Sequence, residues 1–247
     1  MFGISTLKSV FIQTFEKGLQ PYGFKRLKGT EFLGKLINNE ILLYITYEKC
    51  GPIIPGKKAF RIKVGAQTIY SYDLSEHQLL LASGDLFFFA YYDPSLELSM
   101  FYHYDKTTLN DVVDNSLNDT IRAAIPVLSK ICDLKTYVDF RSGLNASDFY
   151  NANQLYRDSV VLILSDNHDD FSKVKTILEN SMLSAYNGNS SNPYYQTALR
   201  DEIKRIDEEL IASRDKVYSD PDLMEKVKSE AASRKEKNLM ILKSYGF

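Results

Sequence analysis

The feature that most constrains this chain is a change of hydrophobic period within its first 70 residues. Leu7, Val10, Phe11, Phe15 and Leu19 recur at three- and four-residue steps, which gathers them on one helical face. Ser5 is the expected cap, because its hydroxyl can accept from the unpaired amides of the first turn. The helix is expected to stop at Gln20: Pro21 disfavours a helical residue before it, and Gly23 suits a turn. From Thr30 the period becomes two. Phe32, Gly34 and Leu36 alternate with Glu31, Leu33 and Lys35, and Asn38-Asn39 fits a tight turn since Asn tolerates positive φ. A strand from Ile41 to Glu48 then places Leu42, Tyr44, Thr46 and Glu48 on one face, and a further strand separates Phe60, Ile62, Val64 and Ala66 from Arg61, Lys63 and Gln67. Short turns between such strands give an antiparallel meander with one face against the helix.

Further along, His77 to Ala82 has room for one helical turn. Leu86 to Tyr92 is apolar on both parities, as in a strand covered on both faces, while Leu96 to Tyr104 alternates as a strand nearer an edge would. The pattern then turns helical. Thr108 can cap a helix over Leu109 to Leu128, with Pro126 expected to kink it. Further helices are expected from Ser147 and after the Asp-rich segment Asp166 to Asp170. Gly188 to Pro193 is the best internal break. Ala198 to Tyr218 and Asp220 to Tyr245 read as a helical hairpin, its second arm opened by Asp220 as cap and Pro221 at the first helical position. The fold class is therefore α+β: an N-terminal helix packed on an antiparallel sheet of about five or six strands over residues 1–105, then a mostly α-helical region over residues 106–247.

The run Phe15 to Lys28, a helix ending in Leu19-Gln-Pro-Tyr-Gly-Phe-Lys-Arg, followed by Thr30 to Leu36 and Glu40 to Lys49, resembles the opening of a bacterial domain family of unknown function. Members begin with a helix, a Gly-Phe-basic phrase and an antiparallel sheet. Some relatives sit in toxin and immunity loci, so the resemblance implies an immunity-like, inhibitor-type binding protein. It covers about the first quarter of the chain and brings no catalytic residues with it.

Composition excludes several classes. A chain of 247 residues, 44% hydrophobic and 25% charged, supports one large or two smaller globular domains. Residues 1–61 carry a net +6 and residues 62–199 a net −8, yet the total of −2 gives no expectation of nucleic-acid binding. The two cysteines, Cys50 and Cys132, are too few for a disulfide scaffold. The first 20 residues lack the basic and apolar blocks of a signal peptide, and no apolar run is long enough to span a bilayer, so a cytoplasmic protein without membrane attachment is expected.

The segments that could carry chemistry have plainer explanations. Gly51-Pro-Ile-Ile-Pro-Gly56-Lys57-Lys58 has the spacing of a phosphate loop, but Pro52 and Pro55 remove amides that would cradle phosphate, and a strand follows. Ser5-Thr-Leu-Lys8 with Ser165-Asp-Asn167 echoes a serine-acylating pattern without its third element. Asp166, His168, Asp169 and Asp170 could hold a metal, though carboxylates before an apolar-periodic run more simply cap a helix. His103 and Asp105 share a strand face as an acid/base pair would, with no nucleophile beside them. No catalytic, cofactor-binding or metal-binding residue is therefore assigned. The expected function is a non-catalytic protein-binding module whose sheet face presents Tyr44, Arg61 and Lys63 to a protein partner with an acidic surface. The alternatives are an enzyme with a site between sheet and helical half, drawing on His103, Asp105 or the Asp166 to Asp170 cluster, and a structural or oligomerisation role for the C-terminal helices.

Overall fold

The computed structural model describes residues 6–70, 74–81, 83–91, 93, 95–143, 216–217 and 219–247. The helices expected from Ser147 and after Asp170, and most of the first arm of the C-terminal hairpin, lie outside them. The chain forms two compact units.

The first unit comprises residues 1–67, 73–133 and 239–247. Helix α1 spans Leu7–Leu19 and buries Leu7, Val10, Phe11, Ile12, Phe15 and Leu19, the face that the periodicity marks out. Ser5 lies outside the described residues, and the cap is Thr6. Its Oγ1 accepts from the Ser9 amide at 3.3 Å while Ser9 Oγ accepts from the Thr6 amide at 3.0 Å, a reciprocal capping box. A 3-10 turn, Gln20–Tyr22, follows the helix.

Five strands are hydrogen-bonded in the order β1 (Lys25–Arg26), β2 (Leu33–Ile37), β3 (Ile41–Cys50), β4 (Lys58–Thr68) and β5 (Gly84–Asp85), and a sixth, β6 (Tyr102–Tyr104), also pairs with β4. The antiparallel α+β class is as expected. The β2–β3 turn is the one its sequence implies, with Asn38 and Asn39 at φ of 51° and 56°. Strands β5 and β6 line up along β4, Asp85 opposite Lys63 and Tyr104 opposite Lys58. The core lies between α1 and the near face of the sheet: Phe11 stacks on Phe15 with centroids 4.1 Å apart and meets Tyr47 at 4.6 Å. Truncating Phe11 or Phe15 to Ala would cost about 3–5 kcal/mol on the usual scale for buried aromatics.

Two strand expectations are corrected. Leu86–Tyr91 is a 3-10 helix, and of the stretch Leu96 to Tyr104 only Tyr102–Tyr104 is strand. A short apolar run without polar alternation suits a buried helical turn as well as a buried strand, and here Leu86 and Phe89, three apart, share the buried side. A short helix α2, Glu76–Leu81, precedes it. Helix α3, Leu109–Leu128, has the expected bounds, with Pro126 in its last turn. It packs on α1 where Gly18 lets Leu117 approach; a Cβ at Gly18 would overlap that leucine.

The second unit comprises residues 68–72 and 134–238. Helix α4, Leu134–Gly143, has no counterpart in the sequence reading. Helix α5, Pro221–Ser244, opens as expected: Asp220 Oδ1 accepts from the amides of Asp222 and Leu223, both at 3.1 Å. Within the unit Ala231 and Leu134 pack against Tyr70, the Lys235 ammonium lies 5.2 Å from the Tyr70 ring, and the buried Asn238 donates to the Ile69 carbonyl at 2.9 Å.

Helices α1 and α5 end on the same six-residue pattern, Leu-x-x-Tyr-Gly-Phe, at Leu19 to Phe24 and Leu242 to Phe247. In both, Gly is left-handed (φ 83° at Gly23, 94° at Gly246), its amide donates to the residue three back, and the Phe amide donates to the Leu carbonyl five back. That is the Schellman closure, in which Gly avoids the Cβ penalty and the flanking apolar pair seals the end. The second copy docks on β1: the Lys28 amide donates to Tyr245 O at 2.9 Å, Lys25 Nζ donates to Gly246 O at 3.0 Å, and the same ammonium sits 4.3 Å from the Phe247 ring centroid.

Candidate functional site

Strand alternation does bring Tyr44, Arg61 and Lys63 to one face of the sheet, but their surroundings differ from an open binding face. Tyr44 is fully buried beneath Gly65, with Phe32 at 6.0 Å. The Arg61 guanidinium contacts Glu48 Oε2 at 2.7 Å and Asp85 Oδ2 at 3.0 Å, and Lys63 Nζ lies 2.9 Å from Asp85 Oδ1. Two cations thus face two carboxylates. Burial alone would lower the Arg61 pKa, yet the two carboxylates outweigh it and raise it, so this guanidinium stays charged inside the cluster. The nearby Cys50 thiol is pushed up, chiefly by burial.

Positive charge without ion pairs among the described residues lies on the other face, beyond the first turn of α1. A groove of about 820 Å³ opens there. Its floor is Leu7 of α1, Tyr104 of β6 and Leu109 of α3, all buried, and apolar atoms make up most of its wall. Around the rim stand the exposed side chains of Lys8, Lys49, Lys58 and Lys106. Lys8 pairs with Glu31 at 2.9 Å, whose carboxyl is held below its ordinary range: burial pushes it up, but bonds from Tyr47 and Lys8 prevail. Lys49, Lys58 and Lys106 make no ion pair among the described residues.

Each rim lysine is placed by a local feature of the fold. Lys49 follows Tyr47 on the α1 side of β3, Lys58 precedes Phe60 on the same side of β4, and the Lys58–Tyr104 pairing brings the β6–α3 junction alongside. The hairpin between β3 and β4 supplies Gly56, left-handed at φ 78°, and its turn closes with the Lys57 amide donating to Ile54 O at 3.1 Å. The phosphate-loop spacing is thus a hairpin connection, as its prolines imply. Between those prolines Ile53 and Ile54 are 54% and 41% exposed, unusual for isoleucines in a chain with so large a core.

Asp105 lines the groove but is committed to structure. Its Oδ1 accepts from the amides of Thr107 and Thr108 at 2.8 and 3.0 Å, while Thr108 Oγ1 accepts from the Asp105 amide at 3.0 Å, so Asp105 closes the turn that leads into α3; Thr108, the N-cap residue, makes no side-chain capping bond to the helix. The Thr107 hydroxyl and these amides bring its pKa down to about 2. The paired role with His103 does not form: His103 sits opposite Ala59, and its Nδ1 has no hydrogen-bond partner among the described residues. No cluster of three or more His, Cys, Asp or Glu side chains suited to a metal occurs among the described residues, and Asp166 to Asp170 lie outside them. No described helix is long and apolar enough to cross a membrane.

The rim lysines escaped the sequence reading because each stands in a different element. The available signal was the basic density at both ends of one hairpin, Lys49 before it and Lys57-Lys58 after it. No protein family, characterised protein or solved structure matches the chain. Its fold and groove are what bear on its function.

Proposed function

We propose that this is a non-catalytic binding protein, immunity-like in mode of action, that holds the acidic surface of a protein partner. The observation that carries the reading is the set of three lysines, without ion pairs among the described residues, around one apolar-floored groove. Long flexible ammonium groups at a rim steer and orient an acidic partner, while an apolar floor gives the complex its residence time. Arg61 and Lys63, neutralised by Glu48 and Asp85, leave the contact to the groove side of the sheet. The test is capture of a protein from the host lysate on the purified chain, followed by reconstitution of the binary complex from pure components. A one-to-one complex whose association rate falls about tenfold or more from low to physiological salt is expected. Failure of every captured protein to bind in pure form, or an association rate indifferent to salt, would overturn the reading.

A further inference from the structure

We infer that the groove docks an acidic segment carrying at least one large apolar side chain, with the apolar group on Leu7, Tyr104 and Leu109 and the carboxylates under Lys49, Lys58 and Lys106. The inference rests on the binding-protein reading and narrows it to one surface and one ligand chemistry.

Three observations converge on this occupant. The volume of about 820 Å³ lies in the range, about 300–1,000 Å³, of pockets that take a small ligand or a few side chains. Its floor is apolar, which a purely charged ligand would leave unsatisfied, while its rim is cationic, which a purely apolar ligand would leave desolvated. The hairpin that contributes Gly56 to the lining also displays the exposed Ile53 and Ile54 between two prolines, apolar side chains a few residues from the groove that a partner can cover at little ordering cost.

The same details disfavour a phosphorylated ligand. Among the described residues no arginine lines the groove, so they offer no bidentate fork to select phosphate, and the Asp105 carboxylate in the wall opposes a compact dianion more than it opposes spaced carboxylates. An anionic membrane would also meet lysines and exposed isoleucines, but a flat bilayer does not fill a recess; it enters the test as a competing outcome.

The probe is a fluorescein-labelled peptide of about a dozen residues, Glu-rich with leucine at every fourth position, long enough to span the groove with one apolar face. Fluorescence anisotropy is followed with the full-length chain. Two control peptides carry Ser for every Leu, or Gln for every Glu, and mixed phosphatidylcholine–phosphatidylserine vesicles are assayed in parallel. Saturable binding of the first peptide is expected, about tenfold or more tighter than either control. Combined Lys49→Glu, Lys58→Glu and Lys106→Glu should weaken it about tenfold or more, Ile53→Ser with Ile54→Ser several-fold, and Lys130→Glu, an exposed lysine off the groove, not at all.

The milder Lys→Gln triple variant guards against misfolding of the reversed one, and it should lose affinity with its unfolding midpoint unchanged. Absence of saturable binding, equal binding of all three peptides, or a loss no greater than that of Lys130→Glu would overturn the inference. Vesicle binding that the triple variant abolishes, without peptide binding, would overturn it in favour of lipid. The reconstituted partner separates the two levels: a complex that survives the triple variant refutes the groove and keeps the binding-protein reading, whereas no partner at all refutes that reading.

Discussion

At the scale of single residues, Tyr44 shows why a correct face does not make a correct surface. Alternation assigns it to the face of Arg61 and Lys63, but a tyrosine ring opposite a glycine fills the space that the missing Cβ leaves, and Gly65 is that glycine. Gly65→Ala would drive its Cβ into the Tyr44 ring. Overpacking of this kind costs about 1–3 kcal/mol, and urea unfolding should show most of it recovered when Tyr44→Leu is added. Asp85 is a second such position. Asp85→Asn leaves Arg61 and Lys63 facing one carboxylate in a half-buried setting, so we expect a loss of about 2–4 kcal/mol by the same measurement, largely independent of salt. Asp105 makes a pH prediction. Its folded-state pKa is depressed to about 2, so its contribution to stability is complete above the ordinary carboxylate range and disappears as pH falls toward 2. Unfolding curves of the wild type and Asp105→Ala should differ at neutral pH and converge near pH 2.

At the scale of elements, legibility followed the strength of local signals. Helix α1, the Asn38-Asn39 turn, β3, β4, α3 and the start of α5 are all near where periodicity and capping chemistry put them, because in each the period runs for several turns or pairs. The segment from Leu86 to Tyr104 departs from its expected strands for a physical reason. Its apolar residues occupy both parities, and such a run is a strand or a helical turn according to what the neighbouring edge of β4 accepts, which local sequence does not record. The repeated ending Leu-x-x-Tyr-Gly-Phe was legible at its first copy as a turn; that its second copy performs the same closure emerged only from the hydrogen bonds. Because Gly23 is left-handed, Gly23→Ala should cost about 1–2 kcal/mol, and Gly23→Asn distinctly less, since Asn tolerates that conformation. Equal losses for the two variants in thermal unfolding would place the cost elsewhere than in backbone strain.

At the scale of the whole molecule, the question is where the charge asymmetry of the sequence goes. Opposite charges meeting across the fold would be the simplest outcome, and Arg61 with Asp85 is such a meeting. Lys49, whose charge helps lower the Glu31 pKa, and Lys58, from the same basic segment, make no ion pair among the described residues and line a groove with Lys106. Three lysines lining one groove without ion pairs among the described residues repel one another, and neutral side chains there would relieve that repulsion. This makes stability and affinity separable. Replacing the three lysines by Gln should leave unfolding free energy within about 0.5 kcal/mol of wild type, or raise it slightly, because exposed positions contribute little to the fold. The same variant should lose affinity for an acidic probe. Urea unfolding and fluorescence anisotropy on one preparation decide the matter: affinity lost with stability kept marks the lysines as a binding device, whereas parallel losses would make them part of the fold.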